Sequence, residues 1–299
     1  MKTISKLFIP VLLAFFVMAC NDNDESAKGR ASISITDAPI DDANVEAVFI
    51  SITSVEANGP NGWETIESFE EPVTIDLLSY QNGEAYFLTD GSIDAGAYSE
   101  VRLMLDIQER VDGANQNSGC YIEYIDGSTQ PLFVPSGGQS GYKAKGDFDV
   151  PAGGVVAVTL DFDVRKAVVK AGNSGQFILK PTVRLVANQD AGIINGTFDA
   201  EGNTASKVVV FAYADGEFDM SETDEPGEEE VRFSNAVTSG VIAEDDSFTL
   251  AFMNSGTYDL FFASFDENGD YIELLGSSTD VDVAAGASVE LELSLSLLN

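Results

Sequence analysis

Apolar and polar side chains alternate with a period of two along most of this chain. Ile33 and Ile35, then Val45, Val48, Ile50, Ile52 and Val55, mark short apolar alternations, and Val101–Leu105, Val156–Phe162 and Leu291–Leu295 repeat the pattern. Such alternation sends one row of side chains into a core and the next into water, as antiparallel strands with one wet face require. Turn-forming pairs punctuate it, among them Asn58-Gly59, Asn82-Gly83, Asp126-Gly127 and Asn268-Gly269. No window of helical periodicity stands out, and Lys166–Lys170 reads as a single turn of helix at most. The predicted fold class is all-β, with two antiparallel β-sandwich domains of Ig-like or transthyretin-like type. A small-residue phrase recurs at Asp94–Tyr98, Pro151–Val155, Asn254–Tyr258 and Ala284–Ser288, each just ahead of an alternating stretch. Its glycine suits a turn into a new strand, because glycine adopts positive φ without steric penalty.

One stretch breaks the alternation. Lys2 and Lys6 precede an unbroken run from Leu7 to Ala19, and Val17-Met18-Ala19 leads to Cys20. Thirteen residues rise about 20 Å as a helix, whereas a bilayer core takes about 20 residues, so the run is too short to span. A cationic start, a short apolar stretch and small residues before a cysteine are the order of a secretory signal, and the pattern resembles the lipobox of bacterial lipoproteins. That resemblance implies an acylated Cys20 as mature N-terminus and a membrane partner held through the lipid anchor. The acidic run Asn21–Glu25 resembles the surface-export signal of Bacteroidetes lipoproteins, which implies an outer-membrane location facing the cell exterior. The chain thus divides into a signal peptide (1–19), an acidic tether (20–30), a first sandwich (31–189) and a second, acidic sandwich (190–299).

Charge and missing residue types narrow the function. Without Lys2 and Lys6, thirteen cations face fifty acids, a net charge of −37 that opposes nucleic acid and anionic headgroups. The same acidity fits a protein adapted to salt. There is no histidine, which removes the commonest general base, the commonest zinc ligand and every Ser-His-Asp or Cys-His mechanism. Cys120 is the remaining thiol once Cys20 is acylated, and it reads as a packed small residue at the start of a strand. Residues 190–299 hold 24 acids against Lys207 and Arg232 alone, while Lys143, Lys145, Arg165, Lys166, Lys170, Lys180 and Arg184 collect in the first sandwich. Converging, those cations would suit an anionic glycan or the acidic second domain; scattered, they are solvated side chains.

Several motifs of the first sandwich fall in a recognisable order: Thr36–Pro39, Ile52–Glu56, Gly62-Trp63, Asp76-Leu77-Leu78 with Asn82-Gly83, Gly96–Tyr98 before Val101–Leu103, Pro135–Gly141, Phe162-Asp163 before Lys166, and Leu179–Pro181 with Val183-Arg184. Together they resemble the lipoprotein domain of unknown function 4382 over roughly residues 31–187. The resemblance implies a secreted or lipid-anchored β-rich domain and no established activity. Gly192–Thr197 and Gly256–Leu260 are similar to the transthyretin-like or carboxypeptidase-regulatory-like modules that follow such domains.

The candidate chemistry is thin. The glycine-rich loop from Pro135 to Lys143 lacks the Gly-Lys-Ser/Thr spacing of a phosphate cradle, and reads instead as a rim for a sugar or peptide formed by Ser136, Gln139, Ser140 and Tyr142. Trp63 follows a turn, where its indole either caps a core or stacks on a sugar. Asp219, Glu222, Asp224 and Glu225 in the acidic stretch 215–230 suggest a calcium loop, against the alternative of a solvated hairpin. Asp161 and Asp163 stand about 7 Å apart on one strand face, within glycosidase range, as any pair among fifty acids could. The expectation is a non-enzymatic, lipid-anchored envelope protein that needs no cofactor beyond that calcium. It would bind a glycan or protein and no nucleic acid; the alternative is a structural spacer or scaffold.

Overall fold

The computed structural model describes residues 27–38, 44–107, 119–135, 137–171, 176–200, 202–227 and 230–294. Cys20, the signal peptide and Ser136 lie outside the described residues. The strands of the first half are β1 (Lys28–Ala38), β2 (Val45–Gly59), β3 (Gly62–Asp76), β4 (Tyr86–Asp94), β5 (Gly96–Leu105), β6 (Tyr121–Tyr124), β7 (Thr129–Phe133), β8 (Tyr142–Val150), β9 (Val155–Asp163), β10 (Val168–Ala171), β11 (Gln176–Leu179) and β12 (Val183–Ala187). Those of the second are β13 (Ala191–Asp199), β14 (Lys207–Ala214), β15 (Thr238–Val241), β16 (Ser247–Asn254), β17 (Gly256–Phe265), β18 (Tyr271–Val283) and β19 (Ser288–Ser294). Two one-turn helices, α1 (Gly137–Ser140) and α2 (Val164–Ala167), interrupt them, so the all-β reading holds. β1 begins at Lys28, inside the stretch expected to be tether.

Hydrogen bonding divides the chain at the short 3-10 turn Asn188–Asp190. Before it, all twelve strands join one folded-over sheet; after it, β16-β13-β19 and β15-β14-β17-β18 form separate sheets. Most pairs are antiparallel. β1 with β9, β13 with β19, β7 with β11 and β8 with β12 run parallel, which the alternation could not distinguish because both pairings share a period of two.

The two halves repeat one seven-strand plan. In the first, β3-β2-β5-β8 faces β4-β1-β9; in the second, β15-β14-β17-β18 faces β16-β13-β19, with the same order along the chain. β6 and β7 are an insertion between β5 and β8, and β10–β12 an extension after β9. The recurring phrase lies at equivalent corners. Tyr98 Oη donates to Asp94 O at 2.8 Å and Tyr258 Oη to Asn254 O at 2.8 Å, each reaching back four residues in the manner of a tyrosine corner. Gly153 (φ +70°) and Gly286 (φ +69°) make the turns into β9 and β19. Gly29 and Gly192 lie against those turns: a Cβ on Gly29 would stand 2.4 Å from Pro151 O, and one on Gly192 2.4 Å from Val283 Cγ1.

Each sandwich buries its own core. Ile33, Ile35, Ile50, Ile52, Val101 and Leu160 are among the fully shielded residues of the first. In the second, Phe198 stacks across the layers on Phe262 at 4.1 Å. A third cluster, with Phe211, Tyr213, Phe233 and Phe265, covers the outer face of the β14–β17 sheet, so that sheet is buried on both sides. Each buried aromatic contributes roughly 1.5–3 kcal/mol through the area it removes from water.

Candidate functional site

The two sandwiches meet along a junction built from β9, α2 and β12 on one side and the β14–β15 connection on the other. Asp163 starts α2 by accepting from Lys166 N at 3.2 Å, which aims Arg165 and Lys166 across the boundary. Arg165 donates Nη1 to Arg232 O and Nη2 to Phe233 O, and its guanidinium lies 5.0 Å from the centre of the Phe211 ring. Lys166 Nζ donates to Ala236 O. A second contact lies nearby, where the Asn82-Gly83 turn, with both residues at positive φ, seats Gly83 against Thr249 and Ala251 of β16.

Four charged side chains line a cleft of about 350 Å³ here, with Thr182 from one body and Thr238 from the other. Asp163 pairs with Lys166 at 3.0 Å and with Arg165 at 3.5 Å, and Asp161 pairs with Arg184 across β9 and β12. Burial pushes the Asp163 carboxyl up, but Arg165 and Lys166 together outweigh it and hold the group below the ordinary value. For Asp161 burial wins and the value is raised, with Arg184 opposing and Asp163 adding to the rise. Burial lowers Lys166, helped by repulsion from Arg165 and Arg184. Behind them Asp37 is 4% exposed; burial, then the nearby charges of Asp163 and Asp161, raise its carboxyl well above the ordinary range, although Oδ1 accepts from Val164 N at 3.0 Å.

This junction was only half legible. The sequence offered its cations as one of two readings, and Arg165 and Lys166 do reach the second domain, yet they grip backbone carbonyls rather than its acidic side chains. Asp161 and Asp163 are tied into ion pairs with cations of the first sandwich.

The predicted rim is corrected at Tyr142. Tyr142 is 2% exposed, stacks on Phe162 at 5.3 Å, and donates Oη to Lys180 O at 2.6 Å. It is a core residue, because β8 begins there and its alternation turns Tyr142 and Ala144 inward and Lys143 and Lys145 outward. Gln139 is exposed and Ser140 half-buried on α1. Trp63 is half-buried, with the Arg102 guanidinium 4.1 Å and Lys143 Nζ 5.2 Å from its ring centre. Arg102 is held in turn by Glu56 on β2, and Gly141 packs against it, so Trp63 and the α1 loop share one outer face.

The four calcium candidates do not converge. Asp219 caps a 3-10 turn by accepting from Ser221 N at 2.8 Å, while Asp224 and Glu225 are exposed. Glu222 is committed elsewhere: its carboxylate accepts from Tyr213 Oη at 3.0 Å, Asn235 N at 2.9 Å and Asn235 Nδ2 at 2.9 Å. No three acidic or thiol groups converge as metal ligands among the described residues. Most of the described stretch is exposed, as a solvated loop would be, and Glu222 clips it over the Phe211–Phe233 cluster.

No curated protein matches the chain. Among solved structures, the Bacillus anthracis TIE protein is 9% identical with a TM-score of 0.19, and the match covers 89% of this chain and 34% of that one. The major pilin subunit BcpA of Bacillus cereus is 9% identical with a TM-score of 0.21 (89% and 69% covered), and the shaft pilin SpaA of Lactobacillus rhamnosus GG 10% identical with a TM-score of 0.22 (88% and 97%). The chain therefore spans about a third of the TIE protein, and scores this low say nothing about function. The family described as domain of unknown function (DUF4382) matches residues 28–181, from β1 to the residue before Thr182 in the cleft. With that match over half of its length, the chain belongs to the DUF4382 family.

Proposed function

We propose that the protein is a lipid-anchored component of the outer membrane, facing the cell exterior through Cys20, and that it acts as a non-catalytic binding module for a glycan or protein. The observation that carries the binding part is the junction cleft, where two sandwiches contribute polar groups to one concave surface, a usual place for ligand sites. The anchor rests on the Leu7–Cys20 pattern, and the non-catalytic reading on a chain without histidine in which the cleft acids Asp161 and Asp163 are tied to cations.

A spacer or scaffold role is the second reading, and the Arg165 latch favours it because it holds the two bodies in one orientation. Protease shaving of intact cells, with a periplasmic control, tests exposure, and Cys20→Ala tests anchoring through loss of incorporated fatty acid. A glycan and matrix-protein array probed with the mature chain separates the two readings: captured ligand supports binding, and a blank array leaves the spacer.

A further inference from the structure

The charge balance of the cleft limits what it can hold. Its lining carries two acids, Asp161 and Asp163, and two bases, Lys166 and Arg184, each already paired. A charged guest would have to split a pair or stand uncompensated beside half-desolvated ions, which is unfavourable. A neutral guest rich in hydroxyls meets no such penalty, because every hydroxyl both donates and accepts. Ala38, Pro181, Val183 and Val237 supply apolar wall between the polar groups.

The geometry points to this cleft as the binding site for a neutral polyhydroxyl ligand, one or two sugar rings in size. The Asp161 and Asp163 carboxylates and the Thr182 and Thr238 hydroxyls are its polar contacts, and Arg184 holds Asp161 in place through their ion pair. The assignment rests on the binding reading above and gives that reading a site and a ligand class. Because Thr182 and Thr238 belong to different sandwiches, the ligand bridges them, and binding raises the melting temperature of the whole chain.

Calorimetric titration of the mature chain, carrying Cys20→Ser so that it stays soluble, tests this with D-glucose, D-galactose and N-acetyl-D-glucosamine against D-glucuronate and D-glucosamine as charged counterparts. The expected result is saturable heat with a neutral sugar, at least tenfold weaker binding of the charged ones, and a raised melting temperature. Thr182→Phe, which fills the cleft from a half-buried position, and Arg184→Lys, which keeps the charge but loosens the hold on the Asp161 carboxylate, should each weaken binding tenfold or more. If Thr182→Phe does not fold, Arg184→Lys carries the test. No heat with any sugar at tens of millimolar, equal affinity for the charged sugars, or undiminished binding by the folded variants overturns the assignment. Array capture that persists in those variants would leave the binding reading standing while removing the cleft from it.

Discussion

At the scale of single residues, Asp37 is a buried carboxyl with little to compensate it. One oxygen accepts from Val164 N, while Oδ2 is buried without a hydrogen-bond partner and Asp161 and Asp163 add repulsion. A carboxyl whose value is raised in the fold contributes stability that is complete below its unfolded value, about 3.9, and is lost as pH rises through the folded value. Asp37→Asn keeps the acceptor for Val164 and removes the charge. It should stabilise the protein at pH 8 by about 1–2 kcal/mol and lose that advantage towards pH 4, as read by urea unfolding across the range; a variant less stable at pH 8 would show that the carboxylate has a cation in its shell. Gly192 makes the converse case. A methyl group there would press on Val283 and the Ala284 and Ala287 carbonyls, so Gly192→Ala should cost about 1–3 kcal/mol in the urea midpoint, and Gly29→Ala a similar amount if the two corners are equivalent.

Among the elements, the segment between β14 and β15 shows why charge alone misleads. Its acids suggested a solvated or calcium-binding loop, and most of its described residues are exposed, but Glu222 takes hydrogen bonds from Tyr213 and Asn235 and fastens the segment over an aromatic cluster. Glu222→Ala leaves a buried phenol and an amide without acceptors, and should destabilise by about 2–3 kcal/mol while hydrogen exchange speeds up over residues 215–237. Millimolar calcium should leave the melting temperature of the native chain unchanged, and a rise would restore the metal reading. The period-two pattern was enough for the all-β class, because it reports which face of a strand is buried. It was blind to the parallel seating of β9 and β19, and to the seven-strand repeat, since strand order depends on contacts distant in sequence. Tyr142 was misplaced although the alternation with Ala144 marks it as inward; the glycine-rich loop before it drew the reading towards a rim. Glu222 carried no signal at all, because its partners stand nine and thirteen residues away on either side of the cover.

For the whole molecule, the question is whether two copies of one sandwich plan behave as two bodies or one. Acidity works against docking, since the second half carries 24 acids and two cations and would repel a neighbour of the same sign. Arg165 offsets this at one point: it is 4% exposed, is charge-balanced by Asp163 within its own sandwich, and spends two donors on Arg232 and Phe233 carbonyls of the other. Gripping carbonyls makes the latch insensitive to which acids surround it. Arg165→Met keeps the length and apolar contact with Phe211 but leaves both carbonyls without these donors and Asp163 with Lys166 alone. If the latch couples the bodies, calorimetry of the native chain should give one transition and the variant two, with the less stable body falling by about 3 kcal/mol. Added salt should narrow the gap between the two transitions by screening the repulsion that the lost latch exposes. A single unshifted transition in the variant would mean that the Asn82-Gly83 contact with β16 and the Lys166 bond hold the bodies together without Arg165.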